Sequence, residues 1–288
     1  MIKREDINIR DPFVLVYDRK YYLYGTRSET AFYGQAYGFD AYVSDDLENW
    51  EGPIEIFHRP ENFWSRKSYW APEVYLYHDR FYMFATFADD HKGLGTAVLV
   101  SDSPLGPFTL WSDGYVTPHD WRCLDGTLYV SEKGDPYMVF CHEWRQIHDG
   151  TICAIRLSDD LRSSVGEPMI LLSASQAKPF VKKVLFRNYV TDGPYLIRTT
   201  DQKLHMLWST NAKTGYVEAI AHSDTNELSG SWKTEEKLLY EHDGGHGMIF
   251  QDLNGNYRLT LHYPNTFGKE HPRFISLRYF EGEFVINE

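Results

Sequence analysis

The sequence predicts an all-β protein that folds as a five-bladed β-propeller, with about four antiparallel strands in each blade. Three observations favour this fold class: a hairpin pattern recurs five times, a second type of strand follows in four of the copies, and no stretch shows helical periodicity of any length. Each repeat therefore holds about four strands within roughly 50 to 70 residues, which is typical of a propeller blade. We expect residues 1–288 to form a single propeller. A β-sandwich or barrel is the alternative, which the fivefold repetition disfavours.

The first repeated element is a hairpin. A small or charged residue opens an apolar, aromatic-rich strand, a turn of Asp, Gly, Asn or Lys follows, and a second apolar strand returns. Alternation or a short apolar run on both sides of such a turn indicates a β-hairpin. The five copies start at Asp11, Ala71, Asp125, Asp192 and His246, which lie 60, 54, 67 and 54 residues apart.

The second repeated element is a strand that ends in Ser-Asp. Its serines are Ser44, Ser101, Ser158 and Ser223, and each of them precedes an Asp. A turn and another short strand come next, so these segments are expected to supply the outer half of each blade. The fifth copy lacks the signature, and its outer strands are expected within residues 274–287.

Composition and charge narrow the function classes. With 288 residues, 42% of them hydrophobic, the chain can bury a core without disulfides or metals. The net charge of -12 is spread along the chain and leaves no basic face, which argues against nucleic-acid binding. No apolar run approaches the length of a membrane span, and the N-terminus lacks the apolar region of a signal peptide. We therefore expect no membrane partner and a cytoplasmic location, although a secreted chain whose leader has been removed would look the same.

The sequence contains no motif for an organic cofactor or a zinc site. The three cysteines fit no zinc spacing, and free thiols are the simplest interpretation. The Gly-Gly-His-Gly run at 244–247 has no following helix or lysine, so it does not indicate a phosphate loop. No organic cofactor is implied.

The five repeat starts point to a common site. In a propeller, the innermost strand of each blade lines the central channel, and its first residue lies at one mouth of that channel. Three of the equivalent positions are aspartates, and clustered carboxylates shift each other's pKa, which separates them into an acid and a base. Hydrolysis of an acetal requires that division. The alternative is that these aspartates cap turns at the strand starts. The residues that converge are Asp11, Asp125, Asp192, His246, and Trp70 with Ala71.

The third hairpin adds a further carboxylate. Its turn falls at 133–134, which places Glu143 opposite Asp125 if the pairing has no bulge. His142 and Trp144 then return to the same mouth, where they are candidate sugar contacts, with core packing as the alternative for His142.

Strand geometry makes two smaller predictions. The fifth hairpin pairs His262 with His246, again without a bulge. Because neighbouring residues of a strand point to opposite faces, Arg10 is expected to point away from the side chain of Asp11 and to be structural.

Five short motifs, taken together, carry a family resemblance. IRDPFV, SYWAPEV, CLDGTLYV, VTDGPYL and GGHGM occur in this order, each at the start of a predicted blade. The chain resembles glycoside hydrolase family 43 at these residues, and the resemblance covers nearly its whole length. It implies a five-bladed propeller that hydrolyses glycosides with inversion of configuration and removes arabinofuranosyl or xylosyl units from plant polysaccharides or their oligosaccharides.

The resemblance also implies roles for single residues. Asp11 matches the general base that activates water, and Asp125 matches the aspartate that orients the acid and tunes its pKa. Trp70 matches the aromatic residue that borders the first sugar subsite. His246 matches the channel histidine, which in many members contacts calcium or another cation directly or through water.

One position departs from the family pattern. The family acid is usually Glu before Gly-Pro or Ala-Pro, whereas here it is Asp192 in Thr-Asp-Gly-Pro. The shorter side chain retracts the carboxyl group by more than ~1 Å, and a misplacement of that size can cost ~100-fold in rate. Three hypotheses follow: the backbone has moved inward and Asp192 is the acid, Glu143 is the acid with Asp192 as a helper, or the protein binds sugar and cleaves it poorly.

The sequence thus predicts an exo-acting arabinofuranosidase or β-xylosidase whose partner is an oligosaccharide that contains arabinose or xylose. A non-catalytic carbohydrate-binding propeller is the alternative from another class. A related propeller that cleaves fructosides is disfavoured, because those enzymes usually carry a Glu-Cys pair and this chain has none.

Overall fold

The five inner strands of the protein form a closed ring. The computed structural model describes residues 1–89, 93–177 and 179–287, which form five antiparallel sheets. The first strand of each main hairpin contacts its counterparts in the two neighbouring sheets, around the whole circle. The prediction of an all-β, five-bladed propeller is confirmed.

Each sheet is formed by one continuous stretch of chain. From the innermost strand outward, the first sheet consists of β2 (Ile9–Tyr17), β3 (Lys20–Arg27), β4 (Gly38–Ser44), β5 (Asn49–His58) and the short β1 (Ile2–Lys3). The second consists of β6 (Lys67–Tyr77), β7 (Arg80–Asp89), β8 (Gly93–Ser101) and β9 (Thr109–Tyr115). The third consists of β10 (Cys123–Val130), β11 (Pro136–His142), β12 (Thr151–Leu157) and β13 (Ser164–Ser173). The fourth consists of β14 (Asp192–Arg198), β15 (Leu204–Ala212), β16 (Gly215–Ser223) and β17 (Trp232–Thr234). The fifth consists of β18 (Gly245–Gln251), β19 (Tyr257–Tyr263), β20 (His271–Phe280) and β21 (Glu283–Ile286).

Helical structure is limited to short segments. The described residues contain 3-10 turns at Arg4–Asp6, Ser28–Thr30 and Ala174–Ala177, and one four-residue helix, α1, at Trp144–Ile147. None of these is long and apolar enough to cross a membrane.

Tight turns join the inner strands of the first two blades. Asp18 and Arg19 connect β2 to β3, and His78 and Asp79 connect β6 to β7. All four residues have positive φ angles, between 45° and 64°. Two-residue loops with both residues in the left-handed region match the right-handed twist of paired strands, which is why they connect hairpins.

Apolar side chains fill the space between neighbouring sheets. Trp50, Trp208 and Phe84 are among the largest fully buried side chains. Phe63 and Phe87 pack edge to face, with ring centroids 5.3 Å apart, inside an aromatic cluster between the first two blades. Removing one buried aromatic ring of this kind typically costs about 3–5 kcal/mol. These contacts hold the blades at fixed angles around the channel.

Buried polar contacts join the fifth blade to the first. Glu270 is fully buried and pairs with Arg10, whose Nη1 lies 2.6 Å from its Oε1. The Ser28 hydroxyl donates to the other carboxylate oxygen at 2.8 Å, and Asn8 donates to the Glu270 carbonyl at 2.7 Å. Ring closure thus depends on side chains from both ends of the chain, and one of them, Arg10, adjoins the predicted base.

Candidate active site

Every inner strand is irregular at its start. Strand pairing is interrupted there in all five blades, and one residue in each interruption has a left-handed backbone. These residues are Asp11, Ala71, Asp125, Gly193 and His246, with φ angles of 52°, 46°, 57°, 51° and 52°. A left-handed conformation costs a residue other than glycine roughly 1–2 kcal/mol, and such strain clusters at functional sites.

The irregularity corrects the predicted equivalence of the three aspartates. In the fourth blade the left-handed residue is Gly193, so Asp192 occupies the position of Arg10 and Trp70, one residue earlier than Asp11. The bulge also breaks the alternation of side chains along β2. For this reason Arg10 lines the same cavity as Asp11, and the prediction that it points away is wrong.

Gly193 is required by its surroundings. A Cβ atom at this position would lie 2.7 Å from Cδ2 and 2.8 Å from Cγ of the His246 ring, and the backbone is left-handed as well. The close approach of the fourth and fifth blades therefore depends on the absence of a side chain.

The bulge also shifts the partners of the return strands. Cys123 pairs with His142, and the Glu143 N–H donates to the Arg122 carbonyl at 2.8 Å, so Glu143 does not lie opposite Asp125 as predicted. Glu143 instead immediately precedes α1, and its side chain still reaches the cavity.

Two histidines also differ from their predicted positions. Gly245, and not His246, pairs with His262. His142 stacks on Trp121, with ring centroids 4.2 Å apart, and its Nε2 lies 3.0 Å from Oε1 of Gln146. His142 is not among the cavity-lining residues, so its predicted sugar contact has no geometric support.

One cavity of about 800 Å³ collects the other predicted site residues. Such a volume is sufficient for a small-molecule ligand. Its predicted lining residues are Asp11, Trp70, Asp125, Glu143, Trp144, Asp192 and His246, and Arg10 and Tyr216 join them.

Asp11 is held as an ionised carboxylate. The Thr26 hydroxyl donates to its Oδ2 at 2.6 Å, and Nδ1 of His246 lies 3.2 Å from its Oδ1. Burial alone raises the pKa of Asp11, but the charges of His246, Arg10 and His262 (the two rings when protonated at acid pH) and the Thr26 hydroxyl outweigh burial and lower that pKa below its ordinary value. Burial lowers the pKa of His246 and takes that of His262 to about 3, so both rings are largely neutral near pH 7. Arg10 is therefore the permanent positive charge beside Asp11.

Asp125 connects the third and fourth blades. Its Oδ2 accepts the Gly193 N–H at 3.0 Å, and its own N–H donates to the Thr86 hydroxyl at 2.8 Å. Burial, followed by the neighbouring charges of Asp192 and Asp11, raises the pKa of Asp125 well above its ordinary value. The side chain is thus fixed against the backbone that carries Asp192.

The pKa of Asp192 is shifted in the opposite direction from that of Asp11. Burial is the main cause that raises the pKa of Asp192 to about 7, and the charges of Glu143 and Asp11 add to it. The Tyr216 hydroxyl donates to Asp192 Oδ2 at 3.1 Å and opposes the rise, because it stabilises the ionised form. Asp11 is thus readily ionised, whereas the pKa values of Asp125 and Asp192 are both raised, that of Asp192 to about 7.

Glu143 is the second candidate for the acid. Burial raises its pKa, but Arg145 and Arg122 oppose that rise, with their Nε atoms 4.0 and 3.8 Å from its carboxylate oxygens. Two neighbouring cations favour the ionised form of this carboxylate.

Comparison with known proteins agrees with this geometry. The family model described as "Glycosyl hydrolases family 43" matches residues 6–276. The chain belongs to this family of glycoside hydrolases. Among solved structures, an endo-arabinase from Bacteroides thetaiotaomicron is 38% identical, with 99% of each chain covered and a TM-score of 0.91. A thermostable family-43 glycoside hydrolase shares the fold at 23% identity and a TM-score of 0.82, with 97% of this chain and 93% of that chain covered.

A curated relative matches over a shorter stretch. A xylosidase/arabinosidase of Humicola insolens is 26% identical over 150 residues, which are 48% of this chain and 45% of that protein. The match thus spans less than half of the relative's length.

Hydrogen bonds between neighbouring blades involve site residues that were not predicted from the sequence. The N–H of the left-handed residue donates to a side chain on the second strand of the preceding blade. The pairs are Ala71 to Thr26 at 2.7 Å, Asp125 to Thr86 at 2.8 Å, His246 to Ser209 at 2.6 Å and Asp11 to His262 at 3.2 Å. In the fourth blade, the Gly193 N–H bonds to Asp125 instead. Three of these partners, Thr26, Thr86 and Ser209, lie near the ends of repeated hairpins, and this shared position is the feature of the sequence that marks them.

The residues of the channel provide little support for a fully ligated metal. Among residues 1–89, 93–177 and 179–287, no group of three or more His, Cys, Asp or Glu side chains is placed to hold a metal ion. The family resemblance names His246 alone as a cation ligand, and its Nε2 is buried without a hydrogen-bond partner. Calcium takes six to eight oxygen ligands, a set that these side chains do not supply.

Proposed function

We propose that this protein hydrolyses the O-glycosidic bond of arabinofuranosyl or xylosyl units in oligosaccharides, with inversion of configuration. Asp11 is the general base, Asp192 the general acid and Asp125 the residue that orients the acid. The observation that supports this most is the opposite direction of two pKa shifts within one cavity: that of Asp11 is lowered, and that of Asp192 is raised to about 7. Carboxyl groups separated in this way divide the roles that glycoside hydrolysis needs.

The reaction can be written with these groups alone. The Asp11 carboxylate removes a proton from water, and the water oxygen forms a bond to the anomeric carbon. The bond from that carbon to the leaving oxygen breaks, and the leaving oxygen takes the proton of Asp192. The base carries a proton and the acid is ionised afterwards, and exchange with solvent restores both.

Asp192 is the better candidate for the acid than Glu143. A general acid near neutral pH needs a carboxyl group that keeps its proton, and burial with nearby carboxylates provides this at Asp192. Burial raises the pKa of Glu143 as well, but two arginines oppose that rise, and the negative charge of Glu143 raises the pKa of Asp192. We therefore assign Glu143 the role of a positioning residue that keeps the acid protonated.

Asp125 acts on the acid through the backbone. Its carboxyl group accepts the N–H of Gly193, which directly follows Asp192. This hydrogen bond fixes the chain on which the acid side chain is carried. Such a bond compensates in part for the shorter side chain of Asp192, because a rigid support limits misplacement of the carboxyl group.

The sugar is inferred from the relatives. The structure that is 38% identical over nearly the whole chain is named an endo-arabinase, and the curated relative is named for both xylose and arabinose. We propose arabinofuranosyl units as the first choice and xylosyl units as the second. A short oligosaccharide as substrate and a cytoplasmic location remain proposals that accompany this assignment.

Hydrolysis assays test the function directly. The purified protein is incubated with an aryl α-L-arabinofuranoside, an aryl β-xyloside and arabino-oligosaccharides, and the first-formed anomer is read by NMR. We expect release of the inverted sugar, and loss of release in the nearly isosteric Asp11→Asn variant. Activity that persists in Asp11→Asn, or a product of retained configuration, contradicts the mechanism.

The short acid supports a second candidate, a propeller that binds sugar without efficient cleavage. Aspartate at position 192 is one methylene shorter than the usual family acid. Calorimetry with arabino-oligosaccharides distinguishes the candidates, because this function predicts binding without product release.

A channel cation also remains a proposal. His246 Nε2 would be its single side-chain donor, and water would have to complete the ligand shell. Thermal unfolding in calcium and in EDTA tests it: we expect calcium to raise the melting temperature of the wild-type protein and not of His246→Ala. Equal melting temperatures in the wild-type protein contradict a bound cation.

A further inference from the structure

Three exposed aromatic side chains adjoin one another at the cavity mouth. Phe32 and Tyr33 lie between β3 and β4 of the first blade, and Phe267 lies between β19 and β20 of the fifth. We call these three residues the rim platform. They are 52%, 71% and 44% exposed, and the Phe32 and Tyr33 ring centroids lie 5.8 and 5.4 Å from that of Phe267. A contiguous exposed apolar surface of this kind commonly marks a binding site.

The platform is held in place despite its exposure. The Arg10 guanidinium lies over the Phe32 ring, 5.0 Å from its centroid, and Arg10 is fixed by its bond to Glu270. The Trp70 indole N–H donates to the carbonyl of Ala31 at 2.5 Å, next to Phe32. A surface whose geometry is fixed before binding loses little conformational entropy when a ligand docks on it.

The platform is continuous with the site of chemistry. Phe32 and Tyr33 line the cavity that contains Asp11, and Arg10 contacts Phe32 while it directly precedes Asp11 in the chain. Trp70 also borders Phe32, with ring centroids 6.4 Å apart. A sugar chain that places one unit beside Asp11 can extend directly over these rings.

We propose that the rim platform is a distal subsite that binds the further sugar units of an oligosaccharide or polysaccharide chain. The proposal rests on the function proposed above and adds the length of the substrate to it. Sugar rings present apolar C–H faces that pack on aromatic rings, and neighbouring hydroxyl groups stay in water at an exposed site. The platform therefore favours longer chains over single glycosides.

Single substitutions test the platform with a matched control. Tyr33→Ala and Phe267→Ala each remove one ring, and Phe280→Ala removes a ring of 57% exposure at the far end of the strand that follows Phe267. The value of kcat/KM is measured for an aryl arabinofuranoside and for arabino-oligosaccharides of increasing length. We expect the ratio of long-chain to aryl kcat/KM to fall about tenfold in both platform variants, mainly through KM, and to stay unchanged in Phe280→Ala. An unchanged ratio in Tyr33→Ala and Phe267→Ala overturns the proposal.

Binding measurements separate this proposal from the function on which it rests. Affinity for arabino-oligosaccharides is measured by calorimetry in Asp11→Asn, with and without Tyr33→Ala. Weaker binding on removal of Tyr33 supports the platform even if the wild-type protein hydrolyses none of these substrates. The other occupant of such a surface is a second copy of the chain. If the platform variants change the sedimentation mass and leave saccharide affinity intact, the surface is a contact between copies and the proposal is overturned.

Discussion

Tyr216 offers a perturbation of the proposed acid with a defined sign. Tyr216→Phe removes the hydroxyl that donates to Asp192 Oδ2 at 3.1 Å and keeps the aromatic ring, which stacks on His262 at 5.7 Å. The hydrogen bond stabilises the ionised carboxylate, so its loss raises the pKa of Asp192 above the value of about 7.

The size of the effect follows from the geometry. A hydrogen bond to a charged group contributes about 1.5–3 kcal/mol, and one pKa unit corresponds to about 1.4 kcal/mol. Because the O···O distance of 3.1 Å is slightly longer than is usual for a hydroxyl donor, we expect a rise of roughly one pKa unit. Glu143→Gln should act in the opposite direction, because it removes a negative charge that raises the pKa of Asp192.

The pH dependence of kcat/KM on an arabino-oligosaccharide provides the assay. A general acid must be protonated, so activity is lost as the pH rises through its pKa, and this loss forms the basic limb of the profile. We expect the basic limb near pH 7 in the wild-type protein, about one unit higher in Tyr216→Phe and lower in Glu143→Gln. A basic limb that stays in place in both variants refutes the assignment of Asp192 as the acid.

Three further predictions concern the frame of the site. Arg10→Met removes the partner of fully buried Glu270 and should lower the free energy of unfolding by about 3–5 kcal/mol in urea denaturation; a change below about 1 kcal/mol contradicts the role given to this pair in ring closure. Gly193→Ala places a Cβ within 2.7 Å of the His246 ring and should reduce kcat/KM by at least about 100-fold, whereas near-normal activity would show that the two blades do not pack this closely. Burial raises the pKa of Glu218 to about 8, so its stabilising contribution is complete below the pKa of the unfolded chain and is lost as the pH rises through about 8. The loss begins at the pKa of the unfolded chain and is complete near pH 8, so the melting temperature should fall between about pH 5 and 8, and less steeply in Glu218→Gln; equal slopes in both proteins count against a protonated Glu218.

The blades could be predicted from the sequence because each one is local. A hairpin and two outer strands follow one another along the chain, and turn residues with aromatic-rich strands mark them without reference to the rest of the protein. The bulge at the start of each inner strand was not predicted, because alternation assumes a regular strand and the left-handed residues there include aspartates.

A different alignment of the repeats gives the correct correspondence between the blades. Aligning Pro12, Pro72 and Pro194 places Gly193, and not Asp192, in the position of Asp11. The aspartates share a chemical function, whereas the prolines mark equivalent backbone positions in three blades.

The contacts between blades were harder to derive. Thr26 and Ser209 act on residues of the next blade, about 40 residues along the chain, and no local pattern specifies such a partner. His262 acts across the closure of the ring, on Asp11. The contact of Tyr216 with Asp192 joins β16 to the start of β14, so it depends on how the strands of the fourth blade are arranged. Tertiary packing, and not strand periodicity, determines these contacts.

The loss of kcat/KM in Asp192→Ala, compared between a poor and a good leaving group, tests the central claim most directly. A general acid contributes about 10²–10⁴-fold when the leaving oxygen is a poor leaving group, and little when it departs readily without a proton. The account predicts that Asp192→Ala lowers kcat/KM by about that factor on an arabino-oligosaccharide and by less than about tenfold on a dinitrophenyl arabinofuranoside. An equal loss on both substrates, or this selective loss in Glu143→Ala instead, would contradict Asp192 as the proton donor of the cavity.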